Sequence, residues 1–370
     1  MIYRDPFTRA DFHRLNSRRG LCLSIYLPTS RVTQDTDKDR IVLKNLIEEA
    51  TVQAGHIADK REVARAAERL ADLLQDDGFW VHQANGLAVL SSPDRLETYR
   101  LAFDVQPMAE VSDRLHLKPL LPALTPKAAY VLAISQKSVR LFEFTPSLEL
   151  VELQAEGLPK DFSDATKRTL QRDRAPARRL EGDEGKKVLQ RQFVRAVERA
   201  MRTILKHESQ SLLLATTSEL QAMYSEVNTY SHLEDISYSG SVENMPLPDL
   251  AEQLKPMVAD LRDRRLRAWE AEFARFESNG RAHTDLATIG KAATFGQVAK
   301  LLVDAESLGY GTIDENGKIA KVEKRGPGSY DLIDEIASRV IEHGGEVLAI
   351  RGDEQVSNQL GPVAAILRWA

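Results

Sequence analysis

Six cations, Arg172, Arg174, Arg178, Arg179, Lys186 and Lys187, fall within the sixteen residues RDRAPARRLEGDEGKK, with Gly182 and Gly185 among them and Leu180 as the one large apolar side chain. A segment with so little to bury cannot build a core. Arginine forks match phosphate oxygens in pairs. The chemistry on offer is therefore contact with an RNA backbone, sequence-independent and salt-sensitive. Gly182 and Gly185 read as the pliant positions of a flexible loop. Lys186 and Lys187 stand beside the start of a helix read from Val188, whose terminal amides also favour an anion. Asp173, Glu181, Asp183 and Glu184 cut the local net charge to +2. A solvated loop of local ion pairs, each worth little, stands beside the phosphate reading as its alternative.

Other chemistry is poorly signalled. GDEGKK has the wrong glycine spacing for a P-loop, and neither GxGxxG nor GxSxG occurs. The eight histidines are scattered and Cys22 is the single cysteine, so no metal site, cofactor or disulfide framework is expected. His116 and His343 read as hydrogen-bonded or capping residues. Asp331, Asp334, Glu335 and Glu342 read as the solvated face of a helix. Arg262, Arg264, Arg265 and Arg267 form a second basic cluster, and Arg31, Lys38 and Arg40 a third, but an ordinary solvated surface is the preferred reading of each. Tyr224, Tyr230 and Tyr238 have the rings to stack on bases, but loop packing accounts for them too.

The elements that must position these residues follow from length and pattern. At 370 residues the chain exceeds one ordinary core, and 42% hydrophobic with 28% charged residues is typical of globular proteins. A net charge of −5 restricts any nucleic-acid surface to a local patch. MIYRDPFTRADF lacks the apolar segment of a secretory signal, and no apolar run reaches membrane-spanning length, so a cytoplasmic location is expected. LCLSIYL reads as a strand and 41–73 as helical. Asn85-Gly86 reads as a hairpin turn within GFWVHQANGLAVLSS. KPLLPALTPK reads as a linker. AYVLAIS and VRLFEF form a second hairpin, Val188–Leu205 a helix, and SLLLATT a central strand. Residues 249–278 read as a long helix. FGQVAKLLVDAESLG reads as helix, YGTI as strand, 331–342 as a helix capped by Ser329, and EVLAI and GPVAAILRW as closing strands. The pattern predicts an α/β protein of three domains: an α+β domain at 1–120, a middle α/β domain at 121–248 with the basic loop 172–187, and a C-terminal αβα domain at 249–370.

CLSIYLPT followed by DRIVLKNLIEEA resembles the start of the archaeo-eukaryotic class-1 release factors and their Pelota relatives. DRLHLKPLLPAL with AYVLAISQKSVRLFEF, and the ending DLIDEIASRVIEHGGEVLAIRGDEQV…GPVAAILRW, resemble more closely the bacterial archaeo-eukaryotic release factor family. The resemblance implies an N-terminal domain facing the decoding region of the small ribosomal subunit. It implies a middle domain reaching toward the peptidyl-transferase centre, and a third docking a partner GTPase or ATPase. It also implies a Gly-Gly-Gln loop between the first strands of the middle domain and its long helix. That place is taken here by the basic stretch, and the chain has no Gly-Gly-Gln, so the tripeptide carries over to no residue. The expected function is ribosome or tRNA association in rescue or protection of idle ribosomes. A peptidyl-tRNA or RNA hydrolase with a non-standard loop, and a non-ribosomal stress or interaction protein, stay open beside it. Whether the chain is an enzyme stays open as well.

Overall fold

A computed structural model describes residues 5, 7–30, 36–124, 129–144, 150–170, 183–206, 208, 210–243, 245–323, 328–350 and 360–369. In chain order it begins with α1 (Arg9–Asn16), β1 (Cys22–Pro28), α2 (Thr36–Ala54), α3 (Lys60–Gln75) and the short α4 (Asp77–Trp80). Strands β2 (Gly86–Ser91), β3 (Leu96–Leu101) and β4 (Met108–Ser112) follow, then a 3-10 turn at Lys118–Leu120 and the one-turn α5 (Leu121–Leu124). The central stretch holds β5 (Ala129–Ile134), β6 (Val139–Phe144), β7 (Leu150–Leu153), α6 (Phe162–Leu170), α7 (Asp183–Ile204), β8 (Leu212–Thr216), α8 (Ser218–Val227) and β9 (Leu233–Ser239). Then come α9 (Leu247–Glu277), β10 (Ala282–His283), α10 (Leu286–Thr294), β11 (Val298–Asp304) and β12 (Tyr310–Ile313). The chain closes with β13 (Ile319–Lys321), β14 (Tyr330–Asp331), α11 (Leu332–Glu342), β15 (Glu346–Ile350) and β16 (Val363–Leu367). The fold is mixed α/β, and its residues group into two compact units, Met1–Thr125 with Leu266–Ala370, and Pro126–Arg265.

In the first unit the sheet β3-β2-β1-β4 is antiparallel. Alternation along β1 sends Leu23, Ile25 and Leu27 into a core with α2 and α3, and Cys22 and Tyr26 to the opposite face. That opposite face shares its core with Leu332, Ile333 and Ile336 of α11, so the N-terminal sheet and the C-terminal layers bury their apolar faces together. The sheet β10-β16-β11-β15 carries α10 and α11 on one face and Trp269 and Phe273 of α9 on the other, the expected αβα layering. In the second unit the order is β7-β6-β5-β8-β9, with β5, β8 and β9 parallel. Helices α6, α7 and α8 cover one face of this sheet, and Leu250, Leu254, Val258 and Leu261 of α9 cover the other.

Several expectations are corrected. The stretch expected to begin a helix at FGQVAKLLVD is β11, since its short apolar run is buried on both faces between β15 and β16. Asn85-Gly86 is no hairpin turn: GFW closes α4, and the real hairpin joins β2 to β3, turned where Ser92 N donates to Arg95 O at 2.8 Å. Gly86 is there for space, because a Cβ would sit 2.6 Å from the Phe103 carbonyl oxygen. Asp331, not Ser329, caps α11 by accepting from Ile333 N. The described part of the expected linker is packed, with Lys118, Leu120 and Leu121 buried.

Candidate nucleic-acid interface

Helix α7 has 22 residues, about 33 Å at 1.5 Å each, whereas the five-residue β8 it packs beside spans only about 17 Å. Its C-terminal half does the packing: Phe193, Val194, Val197, Met201 and Leu205 are buried on the sheet. Between Lys186 and Gln192 no side chain is buried. Two backbone bonds tie the root of α6 to the turn after β5, Phe162 N to Gln136 O at 3.0 Å and Val139 N to Lys160 O at 2.8 Å. Phe162 meets Phe193 with ring centroids 5.4 Å apart. The first half of α7 therefore overruns the sheet where the parallel strands β5 and β8 end, and forms an arm.

Lys186 and Lys187 are exposed on this arm, in the first turns of α7. Arg172, Arg174, Arg178, Arg179 and Gly182 lie outside the described residues. Gly185, expected in a loop, sits inside α7 and is buried. The helix starts five residues before Val188, at Asp183, where acids favour the helix dipole. Apolar periodicity misses that start because those turns pack on no sheet.

The other sequence candidates are largely occupied. Arg264 pairs with Asp235 at 3.0 Å and Asp260 at 3.1 Å. Arg265 donates to Ser211 Oγ at 2.9 Å, and burial lowers its guanidinium pKa. Arg262, Arg267 and Lys38 also have partners. Arg40 pairs with Asp77 at 2.6 Å and lies over the Trp80 ring, while Arg31 falls outside the described residues. Tyr224 is fully buried, Tyr230 donates to Gln210 O at 2.6 Å, and Tyr238 packs against Gly240, so the tyrosines serve packing. His343 ends α11, its ring Nδ1 2.8 Å from Arg339 O.

The polar feature that sequence reasoning missed lies in the first unit. Arg114, His116 and Lys118, spaced two apart between β4 and the start of the 3-10 turn, meet Glu335, Asp334 and Asp331 of the α11 region. Arg114 Nη1 is 2.5 Å from Glu335 Oε2, and Arg339 Nε is 2.8 Å from the other carboxylate oxygen, Oε1. His116 Nδ1 is 3.6 Å from Asp334 Oδ2, and Lys118 Nζ is 2.6 Å from Asp331 Oδ2. Asp331, Asp334 and Glu335 are buried, which corrects their placement on a solvated face; only Glu342 of the four is exposed, and it accepts from Asn16 at 2.6 Å. Leu117 N donates to Asp334 Oδ1, His116 N to Ser24 Oγ, and Tyr26 OH to His116 O. The signal was the R-L-H-L-K spacing, with a basic residue at every second position.

Complete burial disfavours a charged His116 ring, and its Nε2 has no partner among the described residues. The Asp334 carboxylate, with Asp331 beyond it and Lys118 opposing, outweighs this and holds the imidazole pKa above 6.5. A raised folded pKa means stability that is complete below the unfolded value and lost as pH rises through the folded one. Denaturant midpoints should accordingly fall as pH rises above about 6.5, and His116→Gln should remove that component of the slope. An unchanged slope in the variant would contradict the assignment.

Among the described residues no cluster of three or more His, Cys, Asp or Glu is placed to hold a metal, and no helix is long and apolar enough to cross a membrane. Residues 126–266 match the family model described as bacterial archaeo-eukaryotic release factor family 8. No curated protein matches the chain. Among solved structures, archaeal Pelota from a ribosome-bound model with ABCE1 is 16% identical, covering 74% of this chain and 72% of that one, with a TM-score of 0.42. Dom34 of S. cerevisiae, a translation termination-like factor interacting with Hbs1, is 14% identical over 74% of each chain, with a TM-score of 0.40. An archaeal translation termination factor, aRF1, is 14% identical over 98% of this chain and 99% of its own, with a TM-score of 0.24.

Proposed function

We propose that this chain, a bacterial archaeo-eukaryotic release factor-like protein matched to that family over residues 126–266, binds ribosomes or a tRNA-like RNA in the cytoplasm. Its role is rescue of stalled ribosomes or protection of idle ones. The observation that carries the reading is the arm: α6 and the half of α7 that leaves the sheet lead to the cation-rich stretch, on the unit that matches the family. Arginine, lysine and a helix N-terminus together suit phosphate oxygens. Without a Gly-Gly-Gln, the arm acts by occupying a site and not by the tripeptide's hydrolysis. The C-terminal layers would then present a surface to a partner GTPase or ATPase.

Sedimentation with purified ribosomes tests this. The protein should co-sediment at about 50 mM salt and be released at several hundred millimolar, because phosphate contacts displace counterions. Folded protein that stays in the supernatant at every salt concentration, with empty and with tRNA-loaded ribosomes, would rule the reading out.

A further inference from the structure

A second surface, in the unit that does not carry the arm, interleaves exposed rings with guanidinium groups. At the end of α9, Arg275 and Arg281 lie over the Phe276 ring with their Cζ atoms 4.8 and 4.6 Å from its centroid. Arg281 Nη2 then donates to the carbonyls of Leu367 and, at 2.5 Å, Arg368. Arg368 in turn donates from Nη1 to Gly296 O at 3.1 Å and from Nη2 to His343 O at 2.9 Å. Its backbone N donates to Gln297 O. These bonds bring the end of β16 against the end of α10, where Trp369 and Phe295 project with 51% and 53% of their surface exposed.

Arg14, Arg40, Arg114, Arg140 and Arg264 each meet a carboxylate. Among the described residues, Arg275, Arg281 and Arg368 meet only rings and carbonyl oxygens, which leaves their charge uncompensated. Glu277, two residues from Arg275, is exposed, and among the described residues it makes no ion pair with these three. A purely apolar partner would have to desolvate those cations, whereas an unpaired nucleic-acid strand offers a π-face for each ring and a phosphate for each cation.

We propose that Arg275, Phe276, Arg281, Phe295, Arg368 and Trp369 form a binding surface for an unpaired nucleic-acid strand. Bases stack on Trp369 and Phe295, and phosphates meet the guanidinium groups. The arm plays no part in this contact, so the proposal stands apart from the ribosome reading.

The chain has three tryptophans, and Trp80 and Trp269 are 1% and 7% exposed, so quenching of intrinsic fluorescence reports chiefly on Trp369. The probes are an oligouridylate and an oligothymidylate of about ten nucleotides, within the span that such surfaces hold. Quenching by either, weakened by salt, is expected. Trp369→Leu should abolish the signal. In anisotropy with a labelled oligonucleotide, Arg275→Ser and Phe295→Ala should each weaken binding roughly fivefold or more, the size of one lost stacking or phosphate contact. Thermal melting shows whether the variants fold. Lys44→Ser, at an exposed position of α2, should leave the affinity unchanged. Absence of binding, indifference to Arg275→Ser and Phe295→Ala in folded variants, loss through Lys44→Ser, or equal binding of duplex or of an acidic peptide would each overturn the proposal. Ribosome sedimentation that fails while the oligonucleotides bind would sink the ribosome reading alone.

Discussion

Lys118→Met is expected to lower the unfolding free energy by about 3–5 kcal/mol, the cost of leaving one member of a buried pair uncompensated. Lys118 is 1% exposed, its Nζ is 2.6 Å from Asp331 Oδ2, and it also donates to Ser307 O. Truncation leaves Asp331 enclosed, held only by the amides of Gly309 and Ile333 at 3.2 and 3.1 Å. Adding Asp331→Asn removes the stranded charge and keeps a side-chain oxygen to cap α11. The double variant should therefore be more stable than Lys118→Met alone, and a double-mutant cycle should give a coupling of at least about 1 kcal/mol. Urea midpoints measure all three. Strictly additive losses would mean that the two charges do not depend on each other.

The pair lies where the N-terminal sheet meets α11, residues more than two hundred positions apart in the chain. An apolar seam holds wherever the two surfaces fit. The three cations spaced two apart, facing carboxylates spaced three and one apart, fit in one register only. Arg114 adds a second constraint by lying over the Tyr330 ring, its Cζ 4.0 Å from the centroid. The seam thus sets which way the C-terminal layers dock on the sheet, while the shared apolar core supplies the larger part of the attraction.

That seam also marks what was legible in the sequence. The helices α9 and α11 were readable because each has a period matched to a face that a neighbour covers, and the strands β1, β5, β6 and β8 because each is a short, mostly apolar run bounded by polar or turn residues. VAKLLVD was misread as helix because a short apolar run buried on both faces fits either period. The acids of α11 were misplaced for a different reason. Amphipathicity separates apolar from polar faces, but whether a polar face meets water or Arg114, His116 and Lys118 depends on a partner far away in the chain. The start of α7 was hidden because its first turns touch no sheet and so carry no apolar period. Local pattern reports contacts with an element's own layer. It is silent about polar seams and about elements that leave the layer.

Changing Arg172, Arg174, Arg178, Arg179, Lys186 and Lys187 together to serine is expected to reduce ribosome association at about 50 mM salt on the order of a hundredfold, and to flatten its salt dependence. The stretch carries six cations against four acids, net +2; the variant keeps only the four acids, net −4. If every cation meets a phosphate, the slope of log K against log salt should shrink by roughly 0.7 per lost contact, or about 4 in all. Stability should change little, since Lys186 and Lys187 are exposed and the packed half of α7 begins at Phe193. Equilibrium pelleting across a salt series gives both quantities at once. A variant that pellets like the wild type with the same slope would move the contact off the arm. A weaker variant with an unchanged slope would show that the cations shape the arm and do not touch phosphate.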